Sequence, residues 1–389
     1  MDEHYKRSIK QAFLRQTKKL RTREEQKLLA ENSKRRRQGR GGKGARRKRY
    51  SPEDDEDEPL FEKMRSADQV DLRAAARGRG SAGAAAATPK ADDPCLLVVG
   101  VGRDRLRLRD DAGEELEVEL GPDAPHAAVG DELHCRRLSG GQLRPLALAE
   151  RRSAISRPDP HNPHLERVLA ANVDVAVIVG SVHRPELRPA LVDRFLVAIE
   201  RGGATPLLCV NKADLVEDEA ERARLEQALE PYAGLELEVL WTSAETGEGI
   251  ARLAGALAGR TCVFVGHSGV GKSTLLNALD PEHARKTGSG REHDGKGRHT
   301  TTASELVELA CGTRLIDTPG IRSLGLWKVN RGELAGYFPD LVELAGGCRF
   351  RDCLHVQEPD CAVREAVESG ELHPARFATY LRILDGLEE

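Results

Sequence analysis

One segment constrains the fold more than any other: Gly266-His267-Ser268-Gly269-Val270-Gly271-Lys272-Ser273. It fits G-x-x-x-x-G-K-[ST] in the context that pattern requires, since the apolar run TCVFV before it reads as a strand and TLLNAL after it as a helix. In such a strand–turn–helix unit the glycines let backbone N–H groups turn inward and ring phosphates. Lys272 adds a point charge near the outer phosphates, Ser273 offers its hydroxyl to Mg²⁺, and Thr274 continues the phosphate loop into the helix.

Residues from about 165 to 326 continue this texture. The runs VDVAVIVGSV, TPLLCVNKAD, LEVLWTSAETG, ELVELA and TRLIDTPG alternate with the helical stretches ALVDRFLVAIERG, ARLEQALEPY and GIARLAGAL. Apolar strands interleaved with amphipathic helices predict a parallel sheet covered on both faces.

Base choice lies outside the phosphate loop. Asn211-Lys212-Ala213-Asp214 follows the strand LLCV, so it falls at a strand's carboxyl end, where ligands bind in such sheets. A carboxylate at Asp214 can accept two hydrogen bonds, from the ring N–H and the exocyclic amine of guanine. Adenine lacks that amine and would leave a carboxylate unpaired, at a cost of about 1–3 kcal/mol. Thr242-Ser243-Ala244 resembles the loop whose backbone N–H meets the guanine keto oxygen, which assigns Ser243 and Ala244 to the base. In Asp317-Thr318-Pro319-Gly320, Asp317 is expected to hold Mg²⁺ through water, and the Gly320 N–H to lie near the γ-phosphate. Thr300-Thr301-Thr302 supplies a switch threonine for Mg²⁺; Thr301 is the assignment, with its neighbours as alternatives. These features predict GTP and GDP as ligands, Mg²⁺ as the ion and hydrolysis of GTP as the reaction.

The order of the motifs is unusual. Ordinary GTPases place the phosphate loop first and the base-reading loops last, whereas this chain runs NKAD, TSAE, phosphate loop, TTT, DTPG. The same sheet forms if the domain is circularly permuted, because the termini of compact domains lie close together. The DTPG switch then ends the nucleotide domain and leads directly into a C-terminal module, the natural reader of γ-phosphate loss.

That module carries Cys348, Cys353, His355 and Cys361, spaced C-x4-C-x-H-x5-C. Three thiolates and an imidazole fill a tetrahedral Zn²⁺ shell and leave no position for a catalytic water, so one structural Zn²⁺ per chain is expected. The other five cysteines, Cys95, Cys135, Cys209, Cys262 and Cys311, lie in or beside apolar runs and read as packing residues.

Upstream, residues 94–156 read as five short strands with turns at Asp111-Ala112-Gly113, Gly130-Asp131 and Gly140-Gly141. That pattern suits a small β-barrel of the OB type, either an oligonucleotide binder or a packing module without stacking aromatics. Residues 1–93 read as disordered. Residues 1–50 hold 19 Lys/Arg against 5 Asp/Glu, and an acidic block follows at Glu53–Glu58, in a chain of net charge −3. Such an arm serves either as a solvated tail or as a set of phosphate contacts that fold on RNA. No run of 18 apolar residues exists and the start has no apolar core, so a cytoplasmic protein without a membrane span is expected. The predicted division is therefore arm 1–93, OB-type barrel 94–156, permuted GTPase domain 157–326 and helical zinc domain 327–389.

The permuted order, the string GRHTTT, the following DTPGIR and FRDCLHVQEPDCAV together resemble the ribosome small subunit-dependent GTPase A family. The resemblance extends through AANVDVAVIV and DRFLVAIERGG, covers about 95–385, and leaves the arm outside it. It implies an OB domain, a permuted nucleotide domain and a zinc domain. It also implies a GTPase that binds the small ribosomal subunit late in assembly and leaves on hydrolysis; rRNA as a partner and a monomeric state are expected. Ras-like enzymes place a water-orienting Gln just after the switch glycine, where this chain has Ile321. By the resemblance, His299 takes that catalytic role.

Overall fold

The computed structural model describes residues 89–121, 124–159, 162, 164–281, 304–317 and 324–387. The arm expected over 1–93 lies outside these residues up to 88, and so do His299, Thr300, Thr301, Thr302 and Gly320. The chain divides into two compact units, one formed by Gly83–Val329 and one containing Asn330–Glu389. No helix among the described residues is long and apolar enough to cross a membrane.

The first unit opens with a barrel of β1 (Cys95–Val101), β2 (Arg105–Arg109), β3 (Glu115–Glu119), β4 (Glu132–Arg137) and β5 (Leu143–Leu148). β2 shows why it forms. RLRLR alternates strictly, so Leu106 and Leu108 are buried while the arginines face outward. These leucines pack with Leu96, Val98, Val118, Leu133 and Cys135, each fully buried Leu or Val contributing about 1.5–3 kcal/mol. The β2–β3 hairpin turns where Asp110 Oδ1 accepts from the Ala112 and Glu114 backbone N–H groups. β1 pairs antiparallel with β2 and β4, β4 pairs with β5, and β5 approaches β3 to close the ring. Below the barrel, the fully buried Asp131 carboxylate accepts from Arg151 Nε at 2.6 Å and Nη2 at 2.7 Å.

A hairpin that the sequence reading did not foresee follows, β6 (Ala154–Pro158) against β7 (Glu166–Ala171). The main sheet then runs β10 (Glu238–Trp241), β9 (Thr205–Asn211), β8 (Val175–Ser181), β11 (Thr261–Val265), β13 (Arg314–Asp317), β12 (Ser304–Glu308). The first five of these are parallel, and every residue of β8 and β11 is buried. One face carries α1 (Pro189–Arg201) and α2 (Glu219–Leu229); the other carries α3 (Ile250–Leu257) and α4 (Lys272–Leu279).

The all-parallel expectation needs one correction: β12 is antiparallel to β13. Only five residues, 309–313, separate the two strands, enough for a turn but too few for the crossover that a parallel pair needs. On its other edge β12 pairs antiparallel with β1, so barrel and nucleotide domain share one sheet.

In the second unit, α5 (Arg331–Leu334), α6 (Pro339–Ala345), α7 (Ala362–Ser369) and α8 (Pro374–Asp385) bury Phe338, Leu341, Val363 and Tyr380. Phe338 and Tyr380 meet edge to face at 5.5 Å, and Arg376 makes a two-pronged pair with Asp340 at 2.9 and 2.8 Å. This apolar core is small, a condition under which small modules commonly depend on a metal.

Candidate nucleotide site and metal centre

The phosphate loop leaves the carboxyl end of β11 and enters α4 at Lys272. His267, Ser268 and Gly269 are exposed, as are Ser273 and Thr274, whereas Val270 is buried beneath them. Lys272 Nζ lies back across the loop and donates to the Gly266 and His267 carbonyls, both at 2.6 Å. Gly271 adopts φ 95°, and a Cβ there would collide with Asn211 Nδ2, so only glycine fits.

That close approach joins the phosphate loop to the base-reading loop. Asn211, 1% exposed at the end of β9, donates from Nδ2 to the Val270 carbonyl at 2.9 Å. Its Oδ1 accepts from Thr242 Oγ1 at 3.3 Å. Lys212 sits at φ 62°, a left-handed conformation costly for a residue with a Cβ. Its Nζ reaches the carbonyls of Arg184 at 2.7 Å and His183 at 3.2 Å. Ala213 starts a short 3₁₀ turn and its N–H donates to the Thr242 carbonyl. Asp214 is exposed, and Ser243 Oγ donates to its Oδ1 at 2.5 Å. The same Ser243 Oγ accepts from the Thr246 N–H at 3.1 Å, and Ala244 is half-buried beside it. The carboxyl ends of β9 and β10 therefore present a carboxylate fixed by one oxygen, with hydrogen-bonding capacity left for a base.

Asp317 ends β13, exposed, beside the strand that carries the phosphate loop. It lies opposite Glu305, on the sheet face to which α4 packs through Leu275 and Leu279. A carboxylate and the exposed Ser273 hydroxyl are hard oxygen donors of the kind Mg²⁺ takes, so the residues fit that ion.

Three anchoring roles escaped the sequence reading, which placed Thr242 in the base-reading loop but gave it no task. Thr242 anchors Asn211, the 183–184 carbonyls anchor Lys212, and Thr246 anchors Ser243. A Thr at the strand end just before Ser243 was a usable signal; the two carbonyls, 28–29 residues from Lys212, carry no signature at all.

In the second unit the four predicted ligands converge, with one donor atom from each of Cys348, Cys353, His355 and Cys361 and all of them within 4.8 Å of one another. Tetrahedral Zn²⁺ with Zn–S near 2.3 Å and Zn–N near 2.0 Å requires edges of about 3.8 Å (S···S) and about 3.5 Å (S···N). The structure has Cys348 Sγ to Cys361 Sγ at 3.9 Å, Cys348 Sγ to His355 Nδ1 at 3.6 Å and His355 Nδ1 to Cys361 Sγ at 3.4 Å. The donor set fits one Zn²⁺. Burial first, and then the Cys361 and Cys348 sulfurs, push the Cys353 thiol up to about 12, crowding that a central dication reverses. Around the cluster, Glu358 accepts from the N–H groups of Leu354, Val356 and Gln357, and Tyr380 donates to the Leu354 carbonyl at 3.0 Å.

The strand order, the phosphate loop and the base-reading loop upstream of it define a circularly permuted P-loop GTPase. The chain belongs to the RsgA GTPase family, whose model matches residues 148–327. It is 38% identical over 287 residues to the small ribosomal subunit biogenesis GTPase RsgA of Haemophilus influenzae (strain 86-028NP), covering 72% of this chain and 82% of that relative. It is 44% identical over 245 residues to small ribosomal subunit biogenesis GTPase RsgA 1 of Vibrio parahaemolyticus, covering 62% of this chain and 68% of that relative. Among solved structures it resembles YjeQ from Thermotoga maritima with a TM-score of 0.61 and 30% identity, over 75% of this chain and 97% of that one. YloQ, described as a circularly permuted GTPase, gives a TM-score of 0.59 and 28% identity, over 78% of this chain and 97% of that one.

Proposed function

We propose that this chain acts on the small ribosomal subunit and its rRNA during late assembly, in the cytoplasm and as a monomer, and that GTP hydrolysis releases it. The observation that carries the reading is the guanine pocket, Asp214 held by Ser243 beside the phosphate loop, in a chain whose relatives are named for small-subunit biogenesis. In this reading Asn211, Lys212, Ala213, Asp214, Ser243 and Ala244 hold the base, and residues 266–274 cradle the phosphates. Ser273, Thr301 and Asp317 serve the magnesium, Gly320 meets the γ-phosphate, and His299 orients the attacking water. Barrel 94–156, nucleotide domain 157–326 and zinc domain 327–389 divide the work, with arm 1–93 adding phosphate contacts.

Cosedimentation with small subunits, large subunits and whole ribosomes under GTP, GDP and a non-hydrolysable analogue tests it. Small-subunit binding with the analogue and release with GDP are expected. His299→Ala should bind GTP yet lose most subunit-stimulated turnover and stay on the subunit. Pelleting that ignores the nucleotide, or that favours the large subunit, overturns the reading.

A further inference from the structure

One row of positions crosses four strands from the barrel to the nucleotide edge. Arg107 on β2 stands opposite Gly100 on β1, Gly100 opposite Glu305 on β12, and Glu305 opposite Asp317 on β13. Directly opposed residues in neighbouring strands share a face, so these positions form a line. Gly100 leaves its place in that line bare. The Arg107 side chain lies over it, and an added Cβ would stand 2.7 Å from Arg107 Nε. Arg107 Nη2 thereby reaches Glu305 Oε1 at 2.7 Å. Two strand spacings amount to about 10 Å, a gap that a long arginine closes only across a bare glycine.

Within this line Glu305 and Asp317 are opposed carboxylates on neighbouring strands. Such a pair is unfavourable unless one member is neutralised. Arg107 supplies the neutralising charge, and it comes from the barrel.

We infer that Arg107 is a positioning residue for the γ-phosphate side of the site: by holding Glu305 it keeps a second negative charge from acting beside Asp317, and so sets the preference for GTP over GDP. This rests on the reading of Asp317 as the carboxylate that faces the magnesium and the terminal phosphate. GTP carries more negative charge than GDP, so a released Glu305 penalises GTP more. For one half-exposed charge the expected loss of GTP preference is about fivefold, shrinking as salt is raised.

The test measures affinities of the full chain for fluorescent GDP and a fluorescent non-hydrolysable GTP analogue with Mg²⁺, at two salt concentrations. Arg107→Met is expected to lower the GTP/GDP preference about fivefold at low salt, and Gly100→Ala to do the same by displacing the guanidinium. Glu305→Gln alone is expected to hold or raise the preference, since it leaves the Arg107 charge without that carboxylate, and adding it to Arg107→Met to restore the parent's preference, because the stray charge is then gone. A plain structural staple predicts that Arg107→Met, Glu305→Gln and their combination are equally impaired; that pattern, or an unchanged Arg107→Met, overturns the inference. Asp317→Asn separates the two levels. If it leaves the preference unchanged, the reading of Asp317 fails; if it shifts the preference and Arg107→Met does not, the inference alone fails.

Discussion

Asp214→Asn tests the proposed guanine pocket at one atom. Ser243 Oγ donates to Asp214 Oδ1, so in the variant the amide oxygen stays on Ser243 and the NH₂ turns toward the base. Two hydrogen bonds from guanine to a carboxylate, each about 1.5–3 kcal/mol, are then replaced by a donor facing donors. The total of about 3–6 kcal/mol corresponds to a loss of GTP affinity of roughly 10²- to 10⁴-fold. Xanthosine triphosphate carries a carbonyl where guanine has its amine, so the Asn NH₂ pairs with it and the base preference inverts. Competition of GTP, ATP and xanthosine triphosphate against a fluorescent nucleotide measures this directly. Asp214 is exposed, so the melting temperature of the free protein should stay close to the parent's. A variant that still binds GTP within about threefold of the parent, or shows no gain for xanthosine triphosphate, would refute the reasoning.

Other perturbations probe the scaffold. Arg151→Ala leaves the buried Asp131 carboxylate with only the Ala128 N–H and should destabilise the first unit by about 3–5 kcal/mol in urea melts, with Asp131→Asn/Arg151→Ala closer to the parent. Removing zinc with a strong chelator, or substituting Cys361→Ser, should abolish the second unit's cooperative unfolding and cost helical circular dichroism while GDP binding persists; zinc assays should find one ion per chain. Burial raises the Asp174 carboxyl, but the Thr261 N–H and the Arg152 guanidinium outweigh it and hold the carboxyl below its ordinary value. Its contribution is therefore present above the unfolded-state value near pH 4 and lost as pH falls through the folded value. Asp174→Asn should flatten the acid limb of a stability–pH curve, and an unchanged limb would exclude this carboxylate as a source of acid sensitivity.

Much of this architecture was legible because short-range rules dictate it. RLRLR can bury only its leucines, and the spacing C-x4-C-x-H-x5-C confines four ligands to one knuckle. The phosphate loop announced itself through the strand before it and the helix after it. What stayed hidden depends on pairing across the chain. Nothing near Arg107 signals a partner 198 residues away, and nothing near Lys212 signals the Arg184 carbonyl. The antiparallel course of β12 followed from a turn length that the apolar pattern ELVELA does not display. His299, Thr301 and Gly320 were assigned from sequence and lie outside the described residues.

The pairing of β1 with β12 has a consequence for how this protein can be taken apart. A strand end left without a neighbour offers a row of open N–H and C=O groups to any other chain. Here the barrel occupies part of that row through Gly100 and Val101. A nucleotide domain excised at its N-terminal boundary would expose Ser304–Glu308 as a sticky flank and should self-associate in concentrated solution. The barrel is thus a guard for its neighbour's margin as well as a module in its own right. An engineered exchange of either domain should therefore keep the β1–β12 seam intact.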